Sequence, residues 1–553
     1  MKVYDAVANA FVKEGTSTVF GLLGDGQLTW WSAMVKHPNV KIIDVRDEGA
    51  ALSMAEGWAR ATGKIGVCSV THGAGVTRLV TSLVCATRSR IPIVIYASNT
   101  AFNKDRGLQF LDQEKLVSAT GAGYIVVLTP SFAENAVRQA FYRARLESRP
   151  IVLCVPMDIQ RKECDSDGDE YQTSATMFPG QQRIRPDLER LNEAVKIIAE
   201  SKKPVVVLGR GAMEPEAVAA AEHLAKRIGA LIATTLVAKG VLGESEYHAG
   251  ISGLFSRRAV MQLFHESDCV IAIGAGLNER TINMEGDDLY PNARIIHIDV
   301  LPHVVMGNDQ GADCYLQGDA AVTTQEIDEM LAQKGVSKEG YHTAAVRKAL
   351  RDADRDPAEF EIEPGTVDPR EAIRVMDEHL PSDIGVVMGA GHGFSFPTMG
   401  MKKARPLHVF ATGFGSIGQA LATAIGVGVA VNKPLVYMDG DCSALQNIQE
   451  LDTAARLRLK ILFVILNDEG SGAEYHKLRA VGLNGDLAVV RSPDFGFVGR
   501  AFGCRGRLAV TLEEIGAGVD EFLAGDGPMV LDVRVSRNVI SIYYRRTHFG
   551  QDV

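Results

Sequence analysis

Two aspartates, Asp441 and Asp468, each stand at the end of an apolar, β-forming run: KPLVYMDG at 433–440 and KILFVILND at 460–468. With a helix between the two runs, these strand ends would lie side by side. Two hard oxygen ligands on neighbouring strand ends suit Mg²⁺, which keeps few protein ligands and fills its shell with water and phosphate oxygens. Gly440 and Gly470 would let the backbone approach a phosphate. A helix opening near Ser443 would turn its N–H groups toward the same anion. Open α/β sheets bind ligands at this edge, outside the carboxyl ends of their strands. Each part has an ordinary use as well: Asp439 and Asp441 could cap a helix, and NDEGSG could be a surface turn. The whole arrangement points to a cation and a diphosphate.

A second candidate is a carboxyl group. In VRDEGAALSMAEGWAR, 45–60, a strand ends at Val45 and a helix opens at about Gly49, so Glu48 occupies the corner between them. A carboxyl buried there takes its acidity from its surroundings. The plain alternative is a glutamate in the first turn of a helix, favoured by the helix dipole.

These groups need elements to hold them. Short apolar runs alternate with helical patterns along the chain, among them KIIDV (41–45), KIGVCSVT (64–71), IPIVIYAS (91–98), PIVLCVP (150–156), KPVVVLG (203–209), CVIAIGA (269–275), RIIHIDV (294–300), GVVMGA (385–390) and PMVLDVRV (528–535). Continuous apolar strands between helices imply parallel sheets covered on both faces, an α/β fold. The 553 residues suggest about three domains. Polar stretches at 161–185 and 332–369 read as linkers, which gives units at 1–165, 186–335 and 366–540.

Composition excludes more than it selects. With 46% hydrophobic and 23% charged residues the chain reads as globular. A net charge of −10 without a Lys/Arg cluster makes nucleic acid a poor partner. Eight scattered cysteines with no Cys-x-x-Cys pair predict reduced thiols, hence a cytoplasmic protein. The N-terminus reads as an amphipathic helix without the features of a signal peptide, and no run of 18 apolar residues is present, so no membrane span is expected.

The segment Gly440-Asp441-Cys442 … Asn467-Asp468 resembles a motif of thiamine diphosphate enzymes, Gly-Asp-Gly followed just under thirty residues later by Asn-Asn. EGAALSMAEGWAR at 48–60 is similar to the activating-glutamate helix of acetohydroxyacid synthases and 2-oxo-acid decarboxylases, and NIQEL at 447–451 resembles the synthase branch. The resemblance covers the whole chain. It implies three domains: pyrimidine-binding, middle and diphosphate-binding. Thiamine diphosphate and Mg²⁺ are the implied cofactors, with Asp441, Asp468 and the Gly470 carbonyl as metal ligands and Gly440, Cys442 and Ser443 around the diphosphate. Cys442 replaces the motif's second Gly, and Asp468 replaces its second Asn, which adds a negative charge beside the diphosphate. Glu48 would hydrogen-bond the aminopyrimidine ring and help shift it to the imino form that takes the thiazolium proton. GAGHGF, 389–394, resembles the segment that packs on the cofactor, through Gly389, Gly391 and His392. In ATGFGSIG, 411–418, the Gly415 carbonyl would accept from the aminopyrimidine, and Ile417 would wedge between the two rings.

Substrate-side residues follow from the same likeness. Asp25 in FGLLGDG matches a proton-handling Asp of decarboxylases, where synthases tend to have Gly. Gln113 in FLDQEKL matches the synthases' Phe-Gln-Glu, and Glu474 stands where decarboxylases keep a catalytic Glu. In THGAGVTRLV, His72 replaces a Ser and Arg78 an Asn; His72 reads equally as a proton shuttle or as an ordinary hydrogen-bonded histidine. In the middle domain, Gly209, Gly211, Thr235, Leu236, Gly274 and Asp299 resemble an FAD pocket, yet Gly276 stands where the synthases have a flavin-contacting Arg, so FAD is the weaker expectation. A homodimer or homotetramer is implied, because family sites form between subunits. The implied reaction makes or breaks a C–C bond next to a carbonyl, with a 2-oxo acid or an acyloin as substrate: decarboxylation to an aldehyde, or carboligation. A 2-hydroxyacyl-CoA or acyloin lyase is the rival enzyme, and a cofactor-binding protein without catalysis the rival of another class.

Overall fold

The computed structural model describes residues 1–101, 107–165, 170–177, 182–243, 245–284, 287–301, 305–307, 309–352, 356–405, 407–411 and 413–550. Three six-stranded parallel sheets succeed one another. The first contains β1 (Thr18–Gly21), β2 (Lys41–Asp44), β3 (Gly66–Val70), β4 (Ile93–Asn99), β5 (Gly123–Val126) and β6 (Pro150–Pro156), in the order β2-β1-β3-β4-β6-β5. The second contains β7 (Pro204–Leu208), β8 (Leu231–Thr234), β9 (His248–Ile251), β10 (Cys269–Ile273), β11 (Arg294–Asp299) and β12 (Cys314–Gln317), in the order β12-β11-β10-β7-β8-β9. The third contains β13 (Gly385–Met388), β14 (His408–Phe410), β15 (Leu435–Gly440), β16 (Ile461–Asn467), β17 (Arg505–Ala509) and β18 (Met529–Arg534), in the order β14-β13-β15-β16-β18-β17. The first and third sheets share one strand order. The second has the doubly wound order of dinucleotide-binding domains.

Every apolar run singled out in the sequence forms a strand. The strands without such a run include β5, β9, β12, β14 and β17, all short and all at sheet edges. An edge strand buries less surface and needs less apolar sequence. The two polar stretches are docked rather than free. Around the first, the Glu14 carboxylate accepts from Tyr171 Oη (2.9 Å), Ser174 N (2.7 Å) and Ser174 Oγ (2.6 Å), which straps the stretch to the first domain. In the second, Tyr341 N donates to Gly229 O (2.7 Å), Tyr341 Oη donates to Leu263 O (2.6 Å), and a helix follows over Ala344–Asp352, so this part belongs to the middle unit. Within these stretches, 166–169, 178–181 and 353–355 lie outside the described residues.

The helices that bear on function are α1 (Glu48–Thr62), α2 (Val80–Arg88), α3 (His392–Gly400), α4 (Gln419–Val431), α5 (Asp441–Gln446), α6 (Glu450–Arg456), α7 (Gly472–Ala480) and α8 (Ile542–Phe549). The first and third domains are joined where α1 crosses α4. A Cβ on Gly57 would come within 2.1 Å of Thr423 O, and one on Gly426 within 1.9 Å of Met54 O. The pairings 57 with 423 and 54 with 426 make the two helices antiparallel. Around them one apolar cluster runs through both domains, with Met54, Ala55 and Trp58 packed among Leu421 and Ile425. The middle domain is tied to the third by the half-buried Lys239, whose Nζ donates to Met401 O (3.0 Å) and to Thr398 O at the end of α3. Burial pushes this ammonium down to about 8, against the pull of Asp377.

Two outcomes follow. Gly426→Ala must push α1 and α4 apart, at a cost of about 1–3 kcal/mol, read as a thermal midpoint several degrees lower; an unchanged midpoint would contradict the backbone contact. For Lys239, the folded protein binds the proton less tightly than the unfolded chain, so stability rises as pH climbs from about 8 toward 10.5. Denaturation across that window should show the rise in the wild type and a flatter profile in Lys239→Met.

Candidate functional site

The loops after β13, β15 and β16 meet in one pocket, lined by Gly391, His392, Gly440, Asp441, Cys442, Ser443, Asp468, Gly470 and Glu474, with Ile417 at its side. Three helices, α3, α5 and α7, start there, so three sets of free N–H groups face the same space. The helix expected near Ser443 begins two residues earlier, at Asp441.

Asp439, fully buried, supports this pocket without lining it. Its carboxylate accepts from Gly440 N (2.8 Å), Ala390 N (3.2 Å) and the Ser443 hydroxyl, and burial still pushes its pKa up to about 6. It also explains Gly389, where a Cβ would sit 1.8 Å from that carboxylate. The Ser443 hydroxyl in turn accepts from Gly418 N (2.9 Å) and ties in the loop of Gly415 and Ile417. That loop leaves Ile417 partly exposed, 37%, at the pocket. Gly415 has φ +71° and faces open space, as does Gly440, so a ligand can come close to the backbone at both. Thr412 of the same loop lies outside the described residues.

Asp441 and Asp468 line one side of this pocket, close enough for their charges to interact. Asp441 Oδ2 accepts from Gly470 N (3.2 Å) and from the Ser492 hydroxyl. Burial raises the pKa of both carboxyls and makes them weaker acids, and for Asp468 the neighbouring charge of Asp441 raises it further. Two such groups are the charge complement of a divalent cation. Among the described residues no set of three His, Cys, Asp or Glu side chains could hold a metal, so the remaining ligands would come from backbone, water and phosphate, as Mg²⁺ prefers. His392 contributes a buried Nε2 without a partner, and burial keeps its ring neutral, well below the usual histidine range. Tyr544 of α8 (4.8 Å) and His476 of α7 (5.1 Å) pack against that ring. These residues fit a diphosphate and its cation. Ser492 and Tyr544 arrive from remote segments and no local pattern marks them, while His476 comes from α7 itself, turned inward one turn past its start.

The other expected residues gather in the first domain. Asp25, Glu48 and His72 follow the adjacent strands β1, β2 and β3, and Ser98 ends β4. His72 is buried; its Nδ1 lies 3.1 Å from Ser98 Oγ, and its N–H donates to the same hydroxyl (3.2 Å). Burial lowers its basicity, while the charge of Asp25 opposes this. Gln113 is turned inward: Oε1 accepts from Gly73 N (2.8 Å) and Nε2 donates to Ser98 O (3.0 Å). Asp47 caps α1 through Ala50 N (3.0 Å) and pairs with Arg78. Glu474 is exposed at the rim of the third-domain pocket, 3.1 Å from Lys477 Nζ.

The two groups do not meet within one chain. Glu48 begins α1 beside the end of α4, whereas Ile417 precedes the start of α4. At 1.5 Å per residue, antiparallel packing separates them by roughly 20 Å. In the middle sheet, Gly211 N donates to Gly274 O (2.9 Å), and Gly209 abuts Ala275, so the glycines expected around a flavin pack on one another.

The paired carboxylates predict that Asp468→Asn stabilises the cation-free protein by on the order of 1–3 kcal/mol and shrinks the stabilisation that added Mg²⁺ brings. Melting in chelator and in Mg²⁺ reads both effects; a lower midpoint in chelator would show that the two charges do not oppose each other.

Comparison with known proteins agrees with this geometry. Family models for the thiamine pyrophosphate enzyme match in three parts: the N-terminal TPP binding domain at 1–116, the central domain at 191–327 and the C-terminal TPP binding domain at 389–533. Among curated proteins, the chain is 28% identical to the probable acetolactate synthase large subunit of Methanocaldococcus jannaschii, over 96% of this chain and 92% of that protein. It is 27% identical to the acetolactate synthase large subunit of Parasynechococcus marenigrum (96% and 87%) and 26% identical to the acetolactate synthase isozyme 2 large subunit of Escherichia coli K12 (96% and 94%). With all three parts of the family present in order on three parallel sheets, the chain belongs to the thiamine pyrophosphate enzymes.

Proposed function

We propose that the protein is a carboligase of acetolactate synthase type, which decarboxylates a 2-oxo acid and joins the remaining fragment to a second carbonyl. The observation that carries this reading is the pocket that brings Asp441, Asp468, His392, Ser443 and Ile417 together at the ends of β13, β15 and β16. Full-length likeness to acetolactate synthase large subunits supports ligation over simple release of aldehyde.

Bound thiamine diphosphate supplies a thiazolium carbon acid that attacks a carbonyl and stores the electrons freed when CO₂ leaves. The chain supplies the rest. Asp441, Asp468 and the Gly470 carbonyl would hold Mg²⁺, and Gly391, His392, Gly440, Cys442 and Ser443 would surround the diphosphate, with Gly389 beneath them against Asp439. Gly415 would accept from the aminopyrimidine, and Ile417 would pack against the cofactor rings. Glu48 would hydrogen-bond the aminopyrimidine nitrogen and exchange a proton with it. Asp25, His72 and Glu474 would face the substrate, and Gln113 fixes the Gly73 turn next to His72.

Glu48 reaches a pocket only if a second copy supplies it, since its own lies roughly 20 Å away along α1 and α4. A homodimer with two composite sites is therefore part of the proposal. So is a reducing, cytoplasmic setting, which the eight unpaired cysteines support.

Glu48→Gln should abolish turnover with 2-oxo acids while leaving the melting midpoint in place, and chelation should abolish it reversibly. Glu48→Gln and Asp441→Ala chains, each inactive alone, should regain about half of the wild-type rate as a purified heterodimer, because one of its two sites is intact. A silent heterodimer would refute the composite site, and turnover by Glu48→Gln would refute the assignment.

A further inference from the structure

The turn that carries Glu48 is held from outside its own domain. Residues 44–46 leave β2, and three of their polar links run to α6 of the third domain. Arg46 N donates to Glu450 Oε1 (2.9 Å), Arg46 Nε to Asp452 Oδ2 (2.7 Å), and Arg456 Nη2 to Asp44 O (2.6 Å). The centre of this clasp is Glu450, which is fully buried. Its second oxygen accepts from Thr453 Oγ1 (2.7 Å), so both oxygens are engaged and the side chain has one seat. Asp452 and Arg456 are partly exposed and pair with each other (2.8 Å), which makes them weaker partners.

A buried carboxylate bonded to one backbone N–H is a strong local constraint. Here that N–H belongs to the residue two before Glu48. We propose that Glu450 is a positioning residue for Glu48: from the third domain it fixes the turn at 44–47, and so the direction from which the Glu48 carboxyl meets the cofactor. The far end of the same segment is anchored at the pocket loop, since Asn447 Nδ2 donates to Gly418 O (2.7 Å). Glu450 therefore sits on a rigid base and not on a mobile surface. A displacement of Glu48 by about 1 Å is enough to cost a large factor in rate.

This inference rests on Glu48 being the activating carboxyl, and the test separates the two. The readout is exchange of the thiazolium C2 proton for deuterium in the holoenzyme, loaded with thiamine diphosphate and Mg²⁺, without substrate, by quenched-flow NMR. Glu450→Gln keeps an oxygen for Arg46 N and should exchange at nearly the wild-type rate. Glu450→Ala should slow exchange by about tenfold or more, with cofactor affinity and melting midpoint little changed. If Glu450→Ala does not fold, Glu450→Asp withdraws the carboxylate by one methylene while keeping its charge, and should slow exchange in the same sense. Wild-type exchange in the folded Ala or Asp variant, with Glu48→Gln silent, overturns the role of Glu450 alone. Wild-type exchange in Glu48→Gln overturns the reading of Glu48, and this inference with it.

Discussion

The backbone contact between α1 and α4 is the constraint on which the rest depends. Gly57 and Gly426 let two helices from different domains touch main chain to main chain, closer than any side chain would allow. That contact joins the first and third sheets into one body with a shared apolar core. Its antiparallel sense also decides which ends of the two domains are neighbours. The carboxyl edge that carries Glu48 and the carboxyl edge that carries the pocket fall at opposite ends of the pair. Each chain thus carries two unlike groups of polar residues at separate places along that helix pair.

Electrostatics divides the labour between those half-sites. The third domain gathers buried acid at the ends of β15 and β16 and surrounds it with helix starts, an arrangement that suits a cation bridged to an anion. Asp439 takes no part in binding but holds the loops at the right spacing, and it does so while tuned close to neutrality. The first domain keeps its titratable groups apart on three adjacent strands, where His72 is desolvated and held by Ser98.

Much of this could be read from the chain. Apolar runs marked the buried strands, because a strand covered on both faces has little freedom in composition. Asp441, Asp468 and His392 stood in recognisable local patterns, and the pocket brings them together. What escaped the sequence came from long range. Ser492 reaches Asp441 from fifty-one residues away, and Tyr544 reaches His392 from the last helix; neither has a neighbour pattern that tells it from a surface residue. The inward turn of Gln113 was hidden for the same reason, since its bonds go to backbone atoms of two other strand ends. The polar stretches at 161–185 and 332–369 looked like linkers because composition reports exposure, and docking through Glu14 or Tyr341 leaves composition unchanged.

The shared strand order of the first and third sheets has a consequence of its own. Counted in chain order within each sheet, the loop after the first strand carries Asp25 in one and His392 in the other. After the second come Glu48 and Ile417, and after the third His72 and Asp441. A ligand clasped between two such edges is gripped at corresponding stations by two differently equipped copies of one frame. The groups that the two sheets bring to these edges thus sit on loop tips at matching stations of one frame.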